Sequence, residues 1–70
     1  MKTGDKVMIR YEGQDVIGVI KLASPNERSL LLVFDARLSG YFGVMAVLMD
    51  DAGVYRELFD DKPVFVERMS

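Results

Sequence analysis

Apolar and polar residues alternate from Lys6 to Tyr11, with Val7, Ile9 and Tyr11 on one face and Lys6 and Arg10 on the other. That period of two is the mark of a half-buried strand. Glu12-Gly13-Gln14-Asp15 reads as a turn, and Val16 to Ala23 as a second strand, apolar on both faces with Gly18 inside it. A glycine there marks a bulge, or a bend where a sheet curls over its own core. Ser24-Pro25-Asn26-Glu27-Arg28 is a turn, because proline presets the first turn position and asparagine suits the second. Leu30 to Phe34 predicts a central strand covered on both sides, and residues 35–43 predict the longest connection. Val44 to Met49 and Val54 to Phe59 bracket Asp50-Asp51-Ala52-Gly53, a hairpin loop with glycine placed for positive φ. Asp60-Asp61-Lys62-Pro63 is a last turn before a closing strand, Val64 to Arg68.

Short apolar runs separated by turn residues predict an all-β fold. The expectation is a single domain over residues 1–70, a strongly bent five- or six-stranded antiparallel barrel. A rival pattern exists in residues 36–49, where Leu38, Phe42, Met45 and Met49 form a helical stripe behind a possible cap at Asp35. Gly40 and Gly43 would each cost about 1 kcal/mol inside a helix, and Val44 and Val47 lean towards strand. Strand is therefore the preferred reading.

The opening Gly4-Asp5-x-Val7-x-Ile9, then Gly13, then Val16-x-Gly18-x-Ile20, resembles the first hairpin of SH3-like barrels, including Tudor-type and KOW-type modules. The resemblance covers about residues 4–34 and implies an SH3-like barrel. The Gly13-to-Gly18 spacing is also similar to the first motif of Sm-like RNA-binding proteins. Where those carry an Asp and an Asn that hold a base, this chain has approximately Ser24 and Arg28, and no Arg-Gly motif follows Val44. The short SH3-like reductase of plasmid and integron origin is a third resemblance, but its Val-Gln-Ile-Tyr active-site stretch is absent.

Composition narrows the function. Half of the 70 residues are apolar, too many for a disordered segment. Nine Lys and Arg against eleven Asp and Glu leave a net charge of −2, which argues against duplex DNA as a partner. With no cysteine and no histidine, the chain lacks a thiolate nucleophile, Cys-ligated zinc, the usual general base and the commonest metal ligand. No catalytic residue, cofactor or metal is expected. Ser24, Ser29 and Ser39 lack a histidine to activate them, and Lys21 reads as a surface lysine with its stem laid on apolar surface. The start, Met1 to Lys6, lacks the apolar core of a signal peptide. The runs Leu30–Phe34 and Val44–Met49 fall far short of the ~20 residues that span a membrane. A cytoplasmic protein without a membrane partner is expected.

Two surfaces stand out as candidates for binding. A barrel this small has too few inward positions for both apolar runs, so Leu31 and Val33, or Met45, Val47 and Met49, should face outward and support a homo-oligomer. If the strands alternate in direction, turns 12–15, 35–43 and 60–63 share one barrel end. That end gathers Glu12, Asp15, Asp35, Asp60 and Asp61 against Arg37 and Lys62, a balance of −3, beside Tyr41 and Phe42. Rings beside carboxylates can grip a cation or a basic protein or peptide. The plainer reading is that both rings fold inward and plug the end. The pairs Asp50-Asp51 and Asp60-Asp61 lack the spacing of a calcium loop, and a six-residue strand between them would hold them ~20 Å apart. The resulting expectation is a non-catalytic binding module that works as a homo-oligomer. The alternatives are an Sm-like module for single-stranded RNA and a small enzyme with its site at a subunit interface.

Overall fold

A computed structural model describes residues 1–69. Six antiparallel strands run in chain order around a closed barrel: β1 (Lys6–Tyr11), β2 (Gln14–Ala23), β3 (Ser29–Leu38), β4 (Tyr41–Met49), β5 (Tyr55–Glu57) and β6 (Pro63–Arg68). Closure comes from β6 pairing with both β5 and β1. The all-β expectation and the upper strand count hold, and residues 36–49 form strand rather than helix.

The β1 alternation is realised as read, with Val7, Ile9 and Tyr11 all buried. They meet Ile20, Leu30, Leu32, Phe34, Leu38, Met45, Val47, Tyr55, Val64 and Val66 in one core. Gly18 is where β2 crosses this core most closely. A Cβ there would stand 2.6 Å from the Val33 carbonyl oxygen and 2.8 Å from Ile9 Cδ1, so only glycine lets the strand bend inward at that point. The register irregularity falls two residues later, between Ile20 and Leu22. Lys21 is the extra residue, and it reverses the alternation. Ile20 points in, while Leu22 turns outward to pair with Leu31.

Three boundaries differ from expectation. The first turn shrinks to Glu12–Gly13, both at positive φ (51° and 76°). Residues 35–43 are not a long connection. β3 continues to Leu38, β4 begins at Tyr41, and only Ser39–Gly40 turn. Polar Asp35 and Arg37 suggested a loop, yet they lie in β3 at a bulge where residues 34–36 oppose Gly43. β5 is three residues long rather than six, because Leu58 to Asp60 bend into a turn closed by the Asp61 N–H donating to the Glu57 carbonyl at 2.9 Å.

Candidate functional site

The alternation of turns does bring the expected end together. Ser39 N–H donates to Gln14 Oε1 at 2.7 Å, and Lys62 Nζ donates to Glu12 Oε1 at 2.6 Å. Tyr11 and Tyr41 meet edge to face with centroids 5.9 Å apart, and both hydroxyls donate to Asp60 Oδ2, at 3.3 and 3.2 Å. Burial, reinforced by the Glu57 and Asp60 carboxylates, pushes the Tyr41 phenol far above its ordinary range. Burial followed by Asp60 raises the Tyr11 phenol as well. These groups are donors held against carboxylates, an arrangement that ties down the end of the barrel.

The two aromatic neighbours separate. Tyr41 is half-buried and packs against the core, as a plug would. Phe42 is 68% exposed, with the Arg37 guanidinium 4.4 Å above its ring. Strand alternation requires this split, since adjacent residues of β4 face opposite sides. Two of the five acids at this end are paired with cations. Asp15 takes a two-pronged contact from Arg10 at 2.7 and 3.0 Å, and Glu12 takes Lys62. Asp35 is exposed, near Arg37 and Phe42 in a shallow groove.

The carboxylate pairs are closer than a straight strand would place them. Arg56 donates from Nε to Asp50 Oδ2 at 2.9 Å and from Nη1 to the Asp61 carbonyl at 2.8 Å. The short β5 and the bend after it bring the Asp50 carboxylate and the Asp61 main chain within reach of one guanidinium. Asp50 Oδ1 also accepts the Ala52 and Val54 N–H groups, both at 2.9 Å. Val54 N–H and Arg56 together hold the Asp50 carboxyl below its ordinary 3.8. No group of three or more acidic or other metal-ligating side chains forms a cation site among the described residues.

One carboxylate went unremarked in the sequence. Glu57 is 1% exposed, and its Oε1 accepts the N–H groups of Phe59 at 2.8 Å and Asp60 at 2.5 Å. Its other oxygen, Oε2, has no partner among the described residues. No local pattern distinguishes Glu57 from the surface acids around it. Only the inward phase of β5, shared with Tyr55, sends it inside.

The outer face of β2, β3 and β4 is a second candidate surface. Met45 and Val47 are buried and Met49 packs against the core, so this half of the expected oligomer contact is corrected. Their inward phase sends Val44, Ala46 and Leu48 outward instead. Leu31 and Val33 do face outward, half-buried between neighbours. Paired positions line up across the three strands as Val19–Val33–Val44 and Leu22–Leu31–Ala46. Ile17, Leu48 and Leu58, each about half exposed, extend the face. Leu22, Leu31, Ala46, Leu48 and Leu58 wall an open groove of about 410 Å³. A second groove of about 430 Å³ runs past Ile17, Val19 and Val33 between Lys6 and Asp35.

The positions similar to the Sm-like base-holding pair are engaged in turns, Ser24 in its own and Arg28 at the 50–53 loop. Ser24 Oγ accepts the Ser29 N–H at 3.0 Å, and Arg28 donates to the Met49 and Asp50 carbonyls at 3.1 and 3.2 Å. Among the described residues no helix is long and apolar enough to cross a membrane. In comparisons with known proteins, no family model, no curated protein and no solved structure matches this chain.

Proposed function

We propose that this chain is a non-catalytic SH3-like binding module that works as a homo-oligomer, associating through the outer face of β2, β3 and β4. The observation that carries the reading is the continuous apolar face itself. Ile17, Leu22, Val44, Leu48 and Leu58 stand 47–61% exposed on it, and contiguous apolar patches of that kind mark interaction sites. A standard interface buries ~800 Å² per partner. β5 closes the barrel through only three residues, and the face leaves a contiguous apolar surface open to a second copy. The second groove of this face is flanked by one residue of each sign, Lys6 and Asp35. That pairing suits a copy of the same surface better than a strongly basic or acidic partner.

Sedimentation equilibrium or light scattering at micromolar concentration tests the reading. The expected result is a dimer or larger. Val33→Lys, at the centre of the face, is expected to return the chain to its 7.9 kDa monomer without unfolding it. A monomeric mass for the unsubstituted chain overturns the proposal.

A further inference from the structure

Resting on that reading, we infer that Phe59 is the anchor of the self-contact. It inserts into the groove between Leu22 and Leu58 of a second copy, and the second copy returns the same insertion. Phe59 is 82% exposed, more than any other large apolar side chain described. The turn that carries it is held rigid from beneath. Glu57 Oε1 accepts the N–H of Phe59 itself and that of Asp60, while the Glu57 carbonyl accepts Asp61 N–H.

Burying a carboxylate is expensive, and a turn from β5 to β6 can be closed by exposed Asp, Asn or Gly at little cost. The arrangement at Glu57 does more than close a turn. It fixes the backbone on which a bare aromatic ring is displayed, and a ring pre-organised in this way loses little further freedom on binding. An exposed phenylalanine is also the kind of residue that carries interface energy when it finds a pocket.

Leu58, the residue before Phe59, forms one of the groove's walls. Knob and hole are therefore adjacent in the chain. A two-fold axis passing between them makes each copy donate its knob and accept the other's, the self-complementary arrangement of a closed dimer. The groove's volume of about 410 Å³ and its walls of Leu22, Leu31, Ala46, Leu48 and Leu58 suit an aromatic side chain. Occupation of both grooves would cover the outward side chains that the bulge at Lys21 and the phase of β4 leave bare.

The test is sedimentation equilibrium on the unsubstituted chain, Phe59→Ala and Phe65→Ala over a range of concentrations, with a thermal melt of each. Phe65 is the control, an exposed phenylalanine of β6 beside Arg10. Phe59→Ala is expected to weaken dimerisation at least about 30-fold, the loss typical of an interface hot spot, and Phe65→Ala by less than about threefold. The melt of Phe59→Ala, measured where each chain is monomeric, should match that of the unsubstituted chain. If the chain dimerises and Phe59→Ala stays within about threefold of it, the anchor is refuted and the face remains the proposed contact. Equal weakening by both substitutions refutes the anchor as well. A monomer at every concentration overturns both proposals together.

Discussion

Truncating the two adjacent rings at the barrel end should have unequal effects, and the structure sets the sizes. Tyr41→Ala removes a half-buried ring, its edge-to-face contact with Tyr11 at 5.9 Å and its 3.2 Å hydrogen bond to Asp60. Full truncation of a buried aromatic costs 3–5 kcal/mol, so half-burial leaves about 2 kcal/mol. The aromatic pair adds roughly 0.5 kcal/mol, and the long hydrogen bond adds about the same. The sum is about 3 kcal/mol, a large share of the ~3.5–10 kcal/mol that stabilises a domain this small. It corresponds to a fall of roughly 12–24 °C in Tm. Phe42→Ala loses only a mostly exposed ring stacked on Arg37, worth below about 1 kcal/mol. Tyr41→Phe keeps the ring and loses the hydroxyl, so it should fall near 0.5–1 kcal/mol. Urea unfolding followed by circular dichroism measures all three, at two protein concentrations so that any linkage to association is visible. Equal losses from Tyr41→Ala and Phe42→Ala, or a larger loss from Phe42→Ala, would refute the assignment of one ring to the core and the other to the surface.

Gly18→Ala should cost about 2–3 kcal/mol in the same assay, because the new Cβ would meet a backbone carbonyl at 2.6 Å that cannot step aside. Gly40→Ala, with open space around it, should change stability by less than about 1 kcal/mol. Glu57→Ala leaves two N–H groups of the 58–60 turn without their acceptor and should cost about 3 kcal/mol, while Glu57→Gln, which keeps a carbonyl oxygen, should cost distinctly less. The Asp50 carboxyl titrates lower in the folded chain than its ordinary 3.8. Its contribution is therefore present above about pH 4 and lost as pH falls through the folded value. The urea midpoint should drop between about pH 5 and pH 2, and drop less steeply in Asp50→Asn. An identical acid dependence in that variant would count against the Arg56 and Val54 contacts as its source.

What the chain reveals by itself is local. The alternation at Val7, Ile9 and Tyr11, and the turn residues at Glu12–Gly13, Ser24–Arg28 and Asp50–Gly53, announce strands and reversals because both depend on neighbours one to four residues away. Antiparallel alternation then brings Tyr11, Tyr41 and Asp60 to one end, which needs only a count of strands. The outward apolar surplus was half legible for the same reason. A surplus of apolar residues can be counted without knowing where each one points.

Phase is what the sequence could not determine. In Leu30–Phe34 and Val44–Met49 every residue is apolar, so either set of alternate positions would serve as the inner one, and pairing with neighbouring strands makes the choice. The choice buries Met45 and Val47 and leaves Val44 and Leu48 outside. The bulge at Lys21 turns Leu22 outward although it stands two residues from buried Ile20. Glu57 goes inside by the same rule, because β5 must present Tyr55 to the core and its next-but-one neighbour follows. Side-chain direction in a sheet has a period of two. A single extra residue, or a partner strand fixed in one register rather than another, therefore reverses every position beyond it. That decision is made across the barrel, between residues far apart in the chain.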